Sequence, residues 1–163
     1  MTTPAPAVAA RAIDPRGPRF NQTVLAIALF GGFIVQAWVV APIFAAVLFL
    51  GAAFGPRYGP FLRLFADVIR PRLDPPAELE DPRPPRFAAA VGVVFLTAAT
   101  VAFLAGATTV GWVLSLIVAG LAALSAATGI CVGCELYLVV ARRRGIVLAG
   151  GPTSGATDAA AAA

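Results

Sequence analysis

Two cysteines, the only ones in the chain, lie three residues apart at Cys131 and Cys134. On a helix this spacing puts both thiols on one face, with Cα atoms about 5 to 6 Å apart, which is within disulfide range. A helix start near Cys131 would lower the pKa of its thiol and make it the nucleophile, with Cys134 as the resolving thiol. Glu135 follows directly and is interpreted either as the acceptor of a thiol proton or as a side chain that reaches toward water.

Two other interpretations of the cysteine pair stay open. A metal or iron–sulfur centre would need ligands from a second chain or a partner, because two thiolates and one carboxylate are too few for a closed four-ligand site. Alternatively, both cysteines are small apolar packing residues beside Gly129 and Gly133. A permanent structural disulfide is disfavoured in the reducing cytoplasm. We assign no metal and no cofactor to the chain.

Several common kinds of active site are excluded by composition. The chain contains no histidine and no lysine, and Met1 is its only methionine. Histidine-ligated haem, histidine-based zinc or copper sites, Ser-His-Asp catalysis and lysine Schiff bases are therefore excluded within this chain. The 12 basic residues are all arginines that flank apolar blocks. This pattern is typical of membrane topology rather than of nucleic-acid binding, and we expect no nucleic-acid partner.

Two long apolar blocks, 24–54 and 87–140, must position the cysteines. Hydrophobic residues make up 60% of the chain and charged residues 12%, against about half and about a quarter in soluble domains. As one helix the first block would be about 46 Å long, well beyond the roughly 30 Å hydrocarbon core of a bilayer. Gln36, Trp38 and Pro42 near its middle favour a tight hairpin turn, with one long tilted helix as the alternative.

The sequence therefore predicts an all-α integral membrane protein with four transmembrane helices, arranged as two parallel-repeat hairpins. One membrane domain, 14–145, lies between two tails of disordered composition, and the first tail lacks the apolar core of a signal peptide. The predicted spans are about 21–36, 39–55, 87–105 and 111–131 continuing to 141, with a cytoplasmic loop at 56–86 and tails at 1–13 and 146–163.

Arginines set the predicted orientation in the membrane. They precede and follow both apolar blocks, whereas the turns inside the blocks carry no charge. Positive residues concentrate in cytoplasmic loops, so each block is expected to cross the bilayer an even number of times. We expect a multi-pass protein of the plasma membrane with its N and C termini in the cytoplasm. This orientation puts Cys131 at the cytoplasmic edge of the last span.

A heptapeptide opens each predicted hairpin, and its two copies, 14–20 and 81–87, match at six of seven positions. The two halves are therefore predicted to be related by an axis along the membrane normal. The prolines of the heptapeptide favour an extended approach to the membrane. Its arginines are predicted to anchor the helix entries by contact with lipid phosphates, or else to bind a specific anion; they are Arg16, Arg19, Arg83 and Arg86.

The heptapeptide, the segment 70–81 and the Cys-Val-Gly-Cys-Glu-Leu-Tyr ending together resemble a bacterial, largely actinobacterial, membrane family known as domain of unknown function 4395. The resemblance covers roughly residues 13–143 and implies a small multi-span protein that carries a CxxC motif. Members are often encoded near thioredoxin-like or sulfurtransferase proteins, so the resemblance also implies thiol chemistry with such a partner. Cys131, Cys134 and Glu135 match the ending motif, and the resemblance carries over no catalytic role.

Three functions are compatible with these features. The first is a thiol–disulfide or sulfane-sulfur relay between Cys131, Cys134 and a soluble cytoplasmic partner. The second is a non-enzymatic subunit of a membrane complex or an oligomer, because small residues permit close helix approach; they are Gly31, Gly51, Gly55, Ala119 and Gly120. The third is a small-molecule transporter, which the scarcity of charged groups in the spans disfavours.

Overall fold

Long runs of Ala, Val, Leu and Phe with few internal helix breakers form nearly all of the secondary structure. The computed structural model describes residues 13–55, 58–74, 76, 78–143 and 151–152. Its helices are α1 (Arg16–Ile34), α2 (Val40–Phe54), α3 (Pro60–Leu64), α4 (Arg83–Leu104), α5 (Thr108–Thr128) and α6 (Val132–Arg143). A π-helical turn, Phe65–Ile69, and a 3-10 turn, Arg70–Arg72, continue α3. The predicted all-helical class is confirmed.

Short backbone pairings join the 56–86 loop, which the sequence predicts to be cytoplasmic, to the segments before α1 and after α6. Strand β1 (Glu78–Leu79) pairs antiparallel with β2 (Gly151–Pro152), and Ile13 exchanges two backbone hydrogen bonds, of 2.8 and 2.9 Å, with Glu80. Residues 13, 151 and 152 belong to the tails predicted from the sequence, and the loop backbone supplies their hydrogen bonds. The rest of both predicted tails, 1–12 and 146–163 apart from 151–152, lies outside the described residues.

Helices α1 and α4 begin inside the two heptapeptides, four to five residues before the predicted spans at 21 and 87. The carboxylates of Asp14 and Asp81 accept the backbone N–H of Arg16 and Arg83 at 2.9 and 2.8 Å, which satisfies a free donor at each helix start. The first proline of each heptapeptide is the N-cap residue and the later prolines fall in the first helical turn, where a missing N–H removes no helical hydrogen bond. The predicted extended approach is therefore replaced by helix.

The first apolar block forms two helices, α1 and α2, joined by a tight turn and not one long helix. The turn is a Schellman motif, in which Ala37 N–H donates to Gly32 O at 2.8 Å and Gln36 adopts a φ of 56°. The turn between α4 and α5 has the same pattern, with Ala107 N–H donating to Ala102 O at 2.9 Å and Gly106 at a φ of 80°.

The helices pack in cross-hairpin pairs. Helix α1 lies along α5 and α2 lies along α4, while α4 and α5 pack on each other and α1 and α2 touch far less. Alanines at the contacts allow close approach of the helices. The shared core contains Leu25, Ala26, Leu29, Ala41, Phe44, Ala45, Leu48, Leu96, Ala99, Val118, Ala119 and Ala122.

Two helices in the described part of the chain, α4 and α5, are long and apolar enough to cross a membrane. Only 11% of the most apolar 18-residue stretch of α4, and 33% of that of α5, is buried within the protein. Neither helix is enclosed in the way that a core helix of a soluble domain is. Helix α2 and the Val132–Ala141 part of α6 are apolar but shorter.

Candidate functional site

The candidate site begins at the end of α5, where the chain bends at Gly129. Gly129 follows the last residue of α5 in the left-handed conformation, with φ of 77°, and its N–H donates to Ser125 O at 2.9 Å. The hydroxyl of Thr128 accepts the N–H of Ile130 at 3.1 Å. The span predicted as 111–131 continuing to 141 is thus divided into α5 and α6, because a left-handed glycine ends a helix without steric cost.

Cys131 occupies the N-cap position of α6. Its carbonyl accepts the first helical hydrogen bond, from Glu135 N–H at 2.9 Å, and its sulfur is hydrogen-bonded by the backbone N–H groups of Gly133 and Cys134. Those two donors are among the N–H groups that have no partner within the helix, and they favour a negative charge at the cap. The side chain of Cys131 is half-buried and its thiol is free.

The two thiols differ in acidity because each acts on the other. The hydrogen bond from the Cys134 thiol, opposed by burial and aided by the backbone N–H groups and the Ser125 hydroxyl, lowers the pKa of Cys131 to about 6. The same hydrogen bond, together with burial, raises the pKa of Cys134, and the negative charges of Glu80 and Glu135 add to that effect. Cys131 is therefore the thiolate at neutral pH and Cys134 is the protonated donor.

A small cavity of about 40 Å³ lies beside both sulfurs, with room for one or two waters. The two heptapeptides and the end of α5 form its walls, and its lining includes Arg19, Gln22, Glu80, Ser125, Cys131 and Cys134. The Ile13–Glu80 pairing holds Glu80 at this position. The cysteine pair therefore has polar surroundings, even though its own segment of sequence is apolar.

Helix α6 is held against α4 by close contact at the level of the site. A Cβ atom on Gly133 would lie 2.8 Å from Ala88 Cβ, so only glycine permits this approach. The rings of Phe87 and Tyr137 pack with centroids 5.6 Å apart. These contacts fix the N-terminus of α6, and with it Cys131, relative to the bundle.

Three of the four heptapeptide arginines are engaged by the protein itself. Arg16 donates to Asp74 O at 3.0 Å, and Arg83 forms an ion pair with Asp81 at 3.8 Å. Arg86 donates to the carbonyls of Ala52 and Ala53 at the end of α2, at 2.9 to 3.1 Å.

Arg19, the counterpart of Arg86 in the first heptapeptide, lies with its guanidinium against Gly129, where a Cβ atom would overlap it. The structure thus places one of the predicted lipid-contact residues at the dithiol site. Glu135, the predicted proton acceptor, is exposed in the first turn of α6.

The residues that sequence reasoning missed are Ser125, Glu80 and Gln22. Ser125 lies one helical turn before the Gly129 break and is a buried polar residue in an apolar span, a signal that was available in the sequence. Glu80 directly precedes the second heptapeptide, but only the long-range pairing with Ile13 brings it to the site. Among the described residues, no group of three or more His, Cys, Asp or Glu side chains could hold a metal ion.

The fold and the site define a class: a helical protein with two helices able to cross a membrane and a Cys-x-x-Cys pair at a helix N-terminus. A family model described as Domain of unknown function (DUF4395) matches residues 13–142. The chain belongs to this family, as the resemblance of its motifs predicted. No curated protein and no solved structure matches the chain.

Proposed function

We propose that this chain is a four-span membrane protein whose Cys131–Cys134 dithiol exchanges electrons or sulfane sulfur with a soluble cytoplasmic partner. The observation that carries the proposal is the position of Cys131 at the N-cap of α6, with a protonated Cys134 directly beside it. Two cysteines that only filled space in the core would need neither backbone N–H donors aimed at one of the sulfurs nor unequal pKa values.

The membrane part of the proposal is supported by length and exposure. Helix α5 has 21 residues, which is about 31 Å of helix and close to the thickness of the hydrocarbon core. Large apolar side chains are exposed on all four long helices, including Ile34 at 77%, Leu104 at 72% and Phe54 at 60%. Helix α2, with 15 residues, is short for a span and requires local thinning of the bilayer.

A duplicated hairpin is supported by hydrogen bonds that recur in both halves. The same Asp side-chain cap starts α1 and α4, and the same Schellman turn joins each hairpin. Ile13 and Glu80, which pair reciprocally, each stand immediately before a heptapeptide. Reciprocal pairing of equivalent positions is what a two-fold axis produces, and such an axis puts both chain ends on one side of the membrane.

The proposed reaction uses both thiols. The Cys131 thiolate attacks a disulfide of the partner, which forms a mixed disulfide and releases one partner thiolate. Cys134 then attacks the Cys131 sulfur, which closes the intramolecular disulfide and releases the second partner thiol. Two electrons pass to the partner, and the proton of Cys134 ends on a released thiolate, by way of Glu80 or Glu135. With a persulfide partner, Cys131 accepts the terminal sulfur and the partner leaves as a thiolate.

Trapping of the mixed disulfide tests this proposal. In Cys134→Ser the intermediate cannot resolve, so a disulfide-linked cytoplasmic protein is expected on Cys131 after rapid acid quenching and non-reducing electrophoresis. The matched Cys131→Ser variant is expected to trap far less. Equal trapping by both variants, or none by either one, would contradict the proposed relay.

A second candidate, a subunit of a membrane complex, is favoured by one surface. A wide groove between α1 and α5 is lined by small residues, including Gly31, Ala123, Ala126 and Ala127, and a Cβ on Gly31 would meet nothing within 4 Å. Such a surface admits another helix. Under this interpretation, alanine at both cysteines leaves function intact, while Gly31→Leu prevents co-purification with the partner.

A further inference from the structure

The segment 60–72, made of α3 and the two turns after it, packs on the bundle by one side only. Phe61 stacks on Phe44 with ring centroids 5.7 Å apart, and Phe65, which is 5% exposed, packs on Phe20 at 5.9 Å. These contacts hold the segment against the start of α1 and the first half of α2. It is therefore a fixed part of the fold, and its Phe65 end lies beside the start of α1, where the chain is proposed to leave the membrane.

The segment also carries apolar side chains that nothing in the described part of the chain covers. Leu64 and Val68 are 47% and 43% exposed, and Leu73 beyond them is 43% exposed. Phe54, at the end of α2, is 60% exposed as well. Arginines are interleaved with these side chains along the segment. Apolar residues alternating with arginine on one short helical segment are typical of elements that lie in the headgroup region of a bilayer.

A groove of about 520 Å³ runs between this segment and the start of α1. We call it the headgroup groove, and its lining includes Asp14, Gly17, Leu62, Arg63, Asp67 and Arg70. Its floor is narrow, because a Cβ atom on Gly17 would lie 3.2 Å from Leu62. Two arginines and two carboxylates therefore line a space formed by the same segment that carries the exposed apolar side chains.

We infer that the headgroup groove binds an anionic phospholipid of the inner leaflet whose headgroup carries hydroxyl groups, such as a phosphoglycerol. The arginines match the phosphate, since guanidinium groups bind phosphate oxygens in a forked geometry. The carboxylate of Asp67 accepts hydrogen bonds from the headgroup hydroxyls, which a zwitterionic choline headgroup lacks. Leu64, Val68 and Phe54 contact the acyl region. The inference rests on the membrane placement proposed above and not on the dithiol chemistry.

Native mass spectrometry of the full chain in detergent tests the inference, by titration with phosphatidylglycerol, phosphatidylserine and phosphatidylcholine. We expect phosphatidylglycerol to bind most tightly. Arg70→Gln is expected to lower its affinity roughly fivefold, and Arg63→Gln with Arg70→Gln roughly thirtyfold. Asp67→Asn is expected to reduce the preference for phosphatidylglycerol over phosphatidylserine.

Arg72→Gln is the matched control, since Arg72 lies in the same 3-10 turn, is absent from the lining of the groove and donates to the Val68 carbonyl. If Arg72→Gln and Arg70→Gln lowered the affinity for phosphatidylglycerol equally, the effect would be general charge attraction, and the proposed site would be wrong. Equal binding of phosphatidylcholine would overturn it as well, as would equally tight binding of free glycerol phosphate. Alkylation of Cys131 is expected to be the same in all these variants, so the dithiol proposal stands or fails separately.

Discussion

The guanidinium of Arg19 lies against the backbone of Gly129, two residues before Cys131. Its counterpart in the second heptapeptide, Arg86, reaches the end of α2 instead and donates to the carbonyls of Ala52 and Ala53. Each heptapeptide thus sends an arginine to the C-terminal end of a helix in the other hairpin. Only the end of α5 is closely followed by a cysteine, so the same arrangement contributes to the candidate site in one half of the protein only.

Substitution of Gly129 tests whether the end of α5 requires a glycine at this position. Gly129→Ala places a Cβ at a φ of 77° and against Arg19, so we expect a loss of more than about 1 kcal/mol of stability. The loss is measured as a lower midpoint in thermal unfolding in detergent. Gly120→Ala is the control, because this helical glycine faces open space and alanine there is expected to be neutral or stabilising. Similar midpoints for both variants would contradict the geometry at Gly129.

The two matched arginines separate a role in the dithiol site from a role in folding. Arg19→Ala is expected to change the alkylation rate of Cys131, because the side chain that lines the cavity and packs on Gly129 is lost. Arg86→Ala removes three hydrogen bonds to the end of α2 and is expected to lower thermal stability while the alkylation rate stays near that of the parent. A reversal of these two effects would show that Arg19 has no part in the site.

The pH dependence of Cys131 reactivity follows from its lowered pKa. The thiolate is the reactive form, and a lowered pKa keeps it charged down to about pH 6. The iodoacetamide rate at Cys131, followed by peptide mass spectrometry, is therefore expected to be flat above pH 7 and to fall about tenfold per unit well below pH 6.

Cys134→Ala removes the largest cause of that lowered pKa. The midpoint of the rate profile is then expected to move upward, toward that of an ordinary thiol. A midpoint near pH 8.5 in the parent protein, which is about the value for a free cysteine, would contradict the hydrogen bond between the two thiols.

Local signals in the sequence predicted much of this arrangement. Gln36, Trp38 and Pro42 indicated the first turn, because proline and interfacial residues act through the nearby backbone, and a helix start near Cys131 was considered, although the predicted span continued through Gly129. The early starts of α1 and α4 were missed, although the Asp-Pro-Arg order contains both the cap and the tolerated proline.

Long-range packing determined the features that the sequence did not reveal. The roles of Glu80 and Arg19 at the site depend on the Ile13–Glu80 pairing and on α1 lying along α5. Neither contact follows from periodicity or charge pattern. The weak contact between α1 and α2 likewise depends on how each helix packs on the second hairpin.

The central claim is a reactive dithiol at the cytoplasmic edge of a membrane protein. A membrane-impermeant maleimide, applied to inverted and to right-side-out vesicles before and after reduction, tests it most directly. We predict labelling of Cys131 in inverted vesicles only, with Cys134 becoming reactive at high pH and both thiols protected after oxidation. Labelling from the outer face alone, or no oxidation-dependent protection on either side, would contradict the account.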